Sequence, residues 1–238
     1  MGRVEQGRTE PFLCRCTDGA TYVVKGRSAG RRGLASEVIC AGLAQILGLP
    51  VPEPVIVHVP AELLEASDAV GLPLTDLGTG PAFGSLHVKA VEFTMAHRDL
   101  VSEEQRQAVA VFDWWICNED RTLTPLGGNV NLLWAVPPIE GLVVIDHNLA
   151  LESLDRAAFL TTHVFASDFL AVAADFVLRD AWRQRLQAAA DEWDHIVSEV
   201  PPEWDFIDFE QTVPSNVDFT AMKERLDRCR AATFWDQA

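Results

Sequence analysis

Three polar residues, each next to a short apolar run, constrain the fold of this chain more than any other feature. Asp120 is followed by Asn131, which precedes the apolar run 132–134, and by Asp146, which ends the apolar run 142–145. Short apolar runs are typical of buried strands. The order therefore predicts an Asp, then an Asn on one strand, then an Asp on the next. Such a set suits magnesium-dependent phosphoryl transfer, in which one Asp orients the acceptor hydroxyl and the other two residues hold the metal.

The sequence around these residues resembles one kinase family. The stretches FDWWICNEDR at 112–121, NVNLL at 129–133 and IDH at 145–147 are similar to the catalytic segments of HipA-like kinases, a branch of the kinase superfamily related to phosphatidylinositol kinases. The resemblance implies that Asp120 is the catalytic base and that Asn131 and Asp146 are metal ligands.

Two carboxamides are candidates for the metal. Asn129 and Asn131 lie nine and eleven positions after Asp120, whereas protein kinases place the metal-binding Asn five positions on. We choose Asn131, because it directly precedes the Leu-Leu pair as in the family that the chain resembles, and keep Asn129 as the second candidate. The longer loop, residues 121–128, departs from the family pattern.

Two neighbours of the carboxylates have open roles. His147 follows Asp146 and is expected either to fix the metal loop by hydrogen bonding or to transfer a proton itself. Arg121 follows Asp120 and is expected to pair with Asp120, with phosphate, or in a surface salt bridge.

The front of the chain predicts a lysine at a strand end. Residues 11–25 read as a hairpin with its turn at Asp18 and Gly19, and its second strand ends on Lys25. The resemblance implies that Lys25 grips the nucleotide phosphates. An ordinary strand-end charge is the alternative.

A helix is predicted next, at residues 36–47. Ser36 would lie near its start and Gly48 at its C-cap. Glu37 would then lie in the first turn, where an acid is favoured by the helix dipole and could pair with Lys25. An ordinary helix-start acid is the alternative.

The nucleotide base is expected near the end of the small lobe. Residues 55–59 predict a strand, residues 61–84 a loop or short helix with a mobile connection, and residues 87–93 the last strand of this lobe. That strand would lead into a hinge against which an adenine ring lies, with Glu92 and Phe93 as the expected contacts.

The expected architecture is α/β (α+β), a two-lobed protein-kinase-like fold. Residues 1–95 would form a small β-rich N-lobe, and residues 96–238 a larger, mostly helical C-lobe. In the C-lobe, Ser102 begins a capping-box helix. Further helices are predicted at 154–160, 164–177, 181–200 and 219–231. The acidic, aromatic tail at 203–210 is either a docked extension or a surface for a partner protein.

A basic, glycine-rich stretch follows Lys25. Arg27, Arg31 and Arg32 alternate with Gly26, Gly30 and Gly33, which predicts either a flexible surface hairpin or a loop that approaches phosphates. The chain contains no P-loop pattern.

Composition narrows the class of protein. The net charge of −16 argues against general nucleic-acid binding, because an acidic surface repels phosphate backbones. The five cysteines are odd in number and scattered, which favours reduced thiols over a metal pair at Cys14 and Cys16. No secretory or transmembrane segment is expected, since no apolar run approaches about eighteen residues. These features favour the cytoplasm.

Together the residues and the resemblance predict an enzyme that transfers the terminal phosphate of ATP, with Mg²⁺, to a hydroxyl. The family implies a Ser or Thr of a protein, or of the enzyme itself, as acceptor; a lipid or small-molecule hydroxyl is the other possibility. One alternative is a nucleotide-binding pseudokinase that acts as an interaction module. Another is a metal-dependent phosphohydrolase, which would need neither Lys25 nor an adenine hinge.

Overall fold

A five-stranded antiparallel sheet forms the amino-terminal part of the protein. The computed structural model describes residues 2–3, 11–71, 74–124, 127–138, 140–208 and 210–236. The strands follow the spatial order β1-β2-β3-β5-β4. They are β1 (Gly2–Arg3), β2 (Phe12–Arg15), β3 (Thr21–Lys25), β4 (Pro54–Val59) and β5 (Gly80–Leu86).

The predicted hairpin is confirmed as β2 and β3. Phe12 faces Val24 and Arg15 faces Thr21 across the pair. In the turn, the carboxylate of Asp18 accepts a hydrogen bond from the amide of Ala20 at 2.9 Å, which is how Asp stabilises a tight turn. Strand β3 therefore ends on Lys25, as predicted.

Strand β5 was not anticipated. Residues 61–84 were expected to form a loop or short helix, and the helix is present as α2 (Ala61–Ala69), but the sheet's fourth strand in spatial order begins at Gly80. Glycine and proline obscured it, because both are normally depleted in strands. Pro81 is tolerated because β3 pairs with β5 only from Phe83 onward, so Pro81 lies beyond that ladder.

The helix after the first hairpin begins earlier than predicted. Helix α1 spans Gly30–Ile46 and follows a short 3₁₀ helix, Arg27–Ala29. The expectation that Glu37 lies in the first turn is therefore wrong: it lies in the second turn and is buried. The glycines misled the assignment, since glycine disfavours helix interiors. The predicted cap is confirmed, because Gly48 has φ +75° and Leu49 N–H donates to Ala44 O at 2.9 Å in a Schellman motif.

A second, three-stranded sheet has the order β6-β7-β8. Its strands are β6 (Ala90–Glu92), β7 (Leu132–Ala135) and β8 (Gly141–Val144). The strand predicted at 87–93 is shorter than expected and pairs with β7; it does not extend the first sheet. Pairing between residues some forty positions apart carries no local sequence signal, which explains the error.

Helices make up most of the chain after residue 95. Ser102 caps α4 (Glu103–Trp115) as predicted, its hydroxyl accepting from Gln105 N–H at 3.2 Å. The break predicted between residues 177 and 181 lies at Asp175, whose carboxylate caps α7 (Phe176–Asp191) by accepting from Val177 N–H at 2.8 Å. The helices are α3 (Met95–Arg98), α4 (Glu103–Trp115), α5 (Arg156–Thr162), α6 (Ala166–Ala174), α7 (Phe176–Asp191), α8 (Trp193–Ser198) and α9 (Phe219–Asp227), with 3₁₀ turns at Pro202–Asp205, Arg228–Arg230 and Ala232–Trp235.

One large apolar core joins α1 and α4 to the second sheet and the carboxy-terminal helices, and a smaller one lies beneath the first sheet. The tail docks on the protein: Trp204 is buried and its indole N–H donates to Pro81 O at 3.1 Å, although residue 209 lies outside the described part. The mixed α/β (α+β) fold is confirmed, and it is consistent with a kinase-like architecture. Among the described residues, no helix is both long and apolar enough to cross a membrane.

Candidate active site

A cavity of about 620 Å³ lies between the first sheet, α1 and the second sheet. This volume is in the range of small-molecule sites. Its walls include seven of the residues singled out from the sequence, namely Lys25, Glu37, Glu92, Asn129, Asn131, Asp146 and His147. The cavity therefore brings together residues that are more than one hundred positions apart in the chain, such as Lys25 and Asp146.

Lys25 lies between two carboxylates in this cavity. Its Nζ is 2.5 Å from Glu37 Oε1 and 2.6 Å from Asp146 Oδ1. Burial disfavours the ammonium, but the two carboxylates outweigh that effect and raise the pKa of Lys25. The site therefore holds a fixed positive charge at neutral pH.

Glu37 is 2% exposed and has two basic neighbours. Burial alone would raise its pKa, but Lys25 and His147 lower the pKa to about 2. His147 Nδ1 lies 3.8 Å from Glu37 Oε2, and its ring packs edge-on against Phe112. Its Nε2 lies 3.4 Å from Arg121 Nη2. This buried position between two charged residues fits the structural role of His147 better than proton transfer.

Asn131 and Asp146 lie at the open end of the β7–β8 hairpin. Asn131 immediately precedes β7, and Ile145 N–H donates to its carbonyl at 3.2 Å. Both residues adopt left-handed backbone conformations, with φ +46° at Asn131 and +62° at Asp146. Such conformations are uncommon outside glycine, are best tolerated by Asn and Asp, and concentrate at functional sites.

Asp120 meets both candidate carboxamides. Its Oδ2 accepts from Asn129 Nδ2 at 2.7 Å and from Asn131 Nδ2 at 3.2 Å. The long loop folds back on itself, because Thr122 N–H donates to Asn129 O at 2.7 Å; positions 125 and 126 lie outside the described residues. The extra loop length therefore does not separate Asp120 from Asn131.

The two expected adenine contacts differ in placement. Glu92 ends β6 and lines the cavity. The Phe93 ring is 1% exposed and packs on His97 and Phe165 in the core, away from the cavity wall. Sequence reasoning missed the apolar residues that do line this wall, among them Leu13, Val23, Val88, Val91 and Leu132.

The basic stretch after Lys25 is helical rather than a flexible hairpin, and none of its arginines is among the described residues that line the cavity. It forms the 3₁₀ helix and the start of α1. Arg31 Nε donates to Phe206 O at 2.9 Å, and Arg32 binds Ala150 O and the Glu152 carboxylate at 3.0 and 2.9 Å. These arginines fasten other segments to α1.

Arg121 occupies none of the predicted positions. It is wholly buried, with its Nε 2.6 Å from Asp113 Oδ2. His163 Nε2 lies 2.9 Å from the same oxygen, and Asn118 Nδ2 donates to Oδ1 at 2.9 Å. Burial acts to raise the pKa of Asp113, but Arg121 and His163 hold it well below its usual range. The sequence contained one sign of this buried cluster, namely the charged residue Asp113 within the apolar stripe of α4.

The donor set fits a hard divalent cation. Asp146 and Asn131 offer carboxylate and carboxamide oxygens, the ligands that Mg²⁺ accepts alongside substrate phosphates. Within the described ranges, no group of three or more His, Cys, Asp or Glu forms a self-sufficient metal site. Asn131 and Asp146 would thus hold a metal that also depends on a bound nucleotide.

The mixed α/β fold is consistent with that of kinases, which are phosphotransferases. A family model described as HipA-like kinase matches residues 1–238. The chain therefore belongs to the HipA-like kinases. No curated protein matches it significantly.

Proposed function

We propose that this kinase transfers the terminal phosphate of ATP, with Mg²⁺, to the hydroxyl of a Ser or Thr in a protein, including its own chain. The observation that carries the proposal is the position of Lys25 between Glu37 and Asp146, inside a 620 Å³ cavity that Asn131 also lines. A buried cation beside metal-type ligands suits a polyphosphate.

Lys25 would bind phosphate oxygens while Glu37 holds its side chain in place. Glu37 is ionised at neutral pH, since its pKa is lowered to about 2. It can therefore orient the ammonium throughout the physiological range. The apolar wall and Glu92 would receive the base and sugar.

Asn131 and Asp146 would hold Mg²⁺. The metal would offset the charge that develops on the transferred phosphoryl group. Asn129 is the less suited ligand, because it lies closer to Asp120, at 2.7 Å, and serves there as a donor that orients the carboxylate.

Asp120 would orient the acceptor hydroxyl and take its proton. The hydroxyl oxygen then bonds to the γ-phosphorus, the bond from that phosphorus to the ADP oxygen breaks, and ADP leaves. The two carboxamides fix one Asp120 oxygen, so the other can face the acceptor.

The second candidate is a nucleotide-binding interaction module without turnover. It is favoured by the ion pair between Lys25 and Asp146 at 2.6 Å, which occupies one oxygen of a proposed metal ligand. Turnover distinguishes the two. The five free cysteines favour a reducing compartment such as the cytoplasm for either function.

Thermal-shift measurements with ATP and Mg²⁺, ATP and a chelator, and Mg²⁺ alone test binding. We expect the largest stabilisation with ATP and Mg²⁺ together. Mass spectrometry after incubation then tests for phosphoserine or phosphothreonine on the chain or on a casein mixture, with Asp120→Asn as control. No stabilisation under any condition would refute the nucleotide site, and binding without phosphate transfer or ATP consumption would favour the interaction module.

A further inference from the structure

A buried carboxylate beneath the active site binds three polar side chains at once. Asp113 on α4 is fully buried and contacts Asn118, Arg121 and His163, each of them at most 4% exposed. We call these four residues the Asp113 hub. Its members lie outside the cavity lining, so the hub does not itself contact a nucleotide.

The first arm of the hub reaches the two proposed metal ligands. Arg121 Nη1 donates to the carbonyl oxygen of Asn131, and also to that of Ile145 at 3.2 Å. Ile145 immediately precedes Asp146. The Arg121 guanidinium therefore binds one backbone carbonyl on each side of the β7–β8 hairpin. One belongs to the proposed metal ligand Asn131, and the other belongs to Ile145, the residue before the proposed metal ligand Asp146.

The second arm reaches the proposed base. Asn118 Oδ1 accepts from the backbone N–H of Asp120 at 3.4 Å, while its amide group donates to Asp113. Arg121 follows Asp120, and its side chain binds Asp113 directly. Asn118 and Arg121, which lie on either side of Asp120 in the chain, both bind Asp113.

His163 completes the hub in a single tautomer. Its Nδ1 accepts from Phe165 N–H at 3.1 Å, so the proton lies on Nε2, which donates to Asp113. Every polar atom of this buried group has a partner. A fully satisfied buried network is rigid, since each member fixes the others.

The backbone at the metal ligands explains why rigidity is needed there. Asn131 and Asp146 both have positive φ, a strained state that persists only where surrounding contacts determine it. The Arg121 bonds to the carbonyls of Asn131 and Ile145 are such contacts. An apolar core in the same place could fill the volume but could not bind these carbonyls.

We infer that the Asp113 hub is a positioning device that sets the metal ligands through Arg121 and the catalytic base through Asn118. The inference rests on the proposed function, because it takes the roles of Asn131, Asp146 and Asp120 from it. Asp113, Asn118, Arg121 and His163 are positioning residues, and the two arms act on different steps.

The first experiment compares Asp113→Asn with Asp168→Asn. Asp168 is a matched control: a buried Asp on α6, paired with Arg106 at 2.8 Å and remote from the cavity. Both variants should lower the thermal midpoint. Only Asp113→Asn should raise the Mg²⁺ concentration for half-maximal ATP binding. The expected increase is about 10- to 100-fold, the usual loss of metal affinity when a residue that orients a metal ligand is changed.

The second experiment separates the two arms and does not depend on Asp113→Asn folding. Arg121→Lys should raise the Mg²⁺ concentration needed for ATP binding. A lysine ammonium cannot bind Asp113 and the carbonyls of Asn131 and Ile145 at the same time, as the planar guanidinium does. Asn118→Ala should leave Mg²⁺-dependent ATP binding near wild type and lower the maximal rate of phosphate transfer. Asp113 Oδ1 keeps its contact with Arg121 Nη2 in this variant, and the hydrogen bond to the backbone of Asp120 is lost.

The outcomes are distinct. If wild-type protein shows no Mg²⁺-dependent ATP binding, the proposed function fails and the inference with it. If wild type binds normally but the hub variants resemble Asp168→Asn, with lower stability and an unchanged Mg²⁺ requirement and rate, the inference alone is overturned.

Discussion

Lys25 and Asp146 are 121 positions apart in the chain, yet the ammonium of one lies 2.6 Å from the carboxylate of the other. Glu37 Oε1 lies 2.5 Å from the same ammonium. These contacts join β3, α1 and the β7–β8 hairpin at one buried point. A change to any of the three charges should therefore alter both ligand binding and stability.

Lys25→Met tests the cation. Met retains much of the apolar stem and removes the charge, so ATP affinity or turnover should fall while the far-ultraviolet circular dichroism spectrum stays native. Lys223→Met, at an exposed lysine on α9 outside the cavity lining, is the control and should bind ATP normally. Equal kinetics for wild type and Lys25→Met would reduce Lys25 to a strand-end charge.

Asp120→Asn and Asp146→Asn should differ in calorimetry. The Asp120 variant should retain Mg²⁺-dependent ATP binding but lose turnover by about 10² to 10⁴, because its carboxylate is proposed to act on the acceptor hydroxyl. The Asp146 variant should lose the Mg²⁺-dependent part of binding as well as turnover. Equal loss of Mg²⁺ affinity in both would make Asp120 a ligand.

Acid titration tests the environment of Glu37. Its pKa is about 2 in the fold against 4.5 for an unperturbed Glu. Between pH 4.5 and 2, Glu37 is protonated in the unfolded chain but remains ionised in the folded protein. The stability that ionised Glu37 contributes is therefore complete above pH 4.5 and is lost as the pH falls towards 2.

The difference in unfolding free energy between wild type and Glu37→Gln should therefore shrink across that window, as measured by urea denaturation at each pH. A pH-independent difference for Glu37→Gln would contradict the prediction.

Two glycine substitutions should change stability in opposite directions. A Cβ at Gly26 would lie 2.1 Å from the carbonyl oxygen of Leu77, so Gly26→Ala should destabilise the protein by about 1–3 kcal/mol. Gly33 lies within α1, and a Cβ there would be 3.5 Å from Asn148 Cβ, an ordinary van der Waals distance. Gly33→Ala should therefore stabilise by about 0.5–1 kcal/mol. Urea unfolding midpoints measure both; the same sign for both would contradict the packing.

Local chemistry made several elements predictable. The Asp18–Gly19 turn, the Ser102 cap and the Gly48 cap each satisfy backbone groups within a few residues, so the sequence there carries the whole signal. The strands β7 and β8 were predictable from their short apolar runs. The polar residues at their ends could be singled out because they interrupt apolar runs.

Long-range pairing was not predictable in the same way. Strand β5 resembles a loop in composition and becomes a strand because β3 and β4 flank it. Phe93 was expected at the cavity, but its ring faces the core, because the pairing of β6 with β7 decides which side faces inward. No local pattern contains that register.

The amino-acid sequence by itself determined the residue types that phosphoryl transfer requires, their order, and the family to which the chain belongs. Only the tertiary structure decided that Glu37 meets Lys25 from the second turn of α1, that both carboxamides reach Asp120, and that Arg121 turns inward to Asp113. The reason is physical. Turns and caps are stabilised by neighbours in the chain, whereas a buried charge is stable only beside partners that the folded core brings to it.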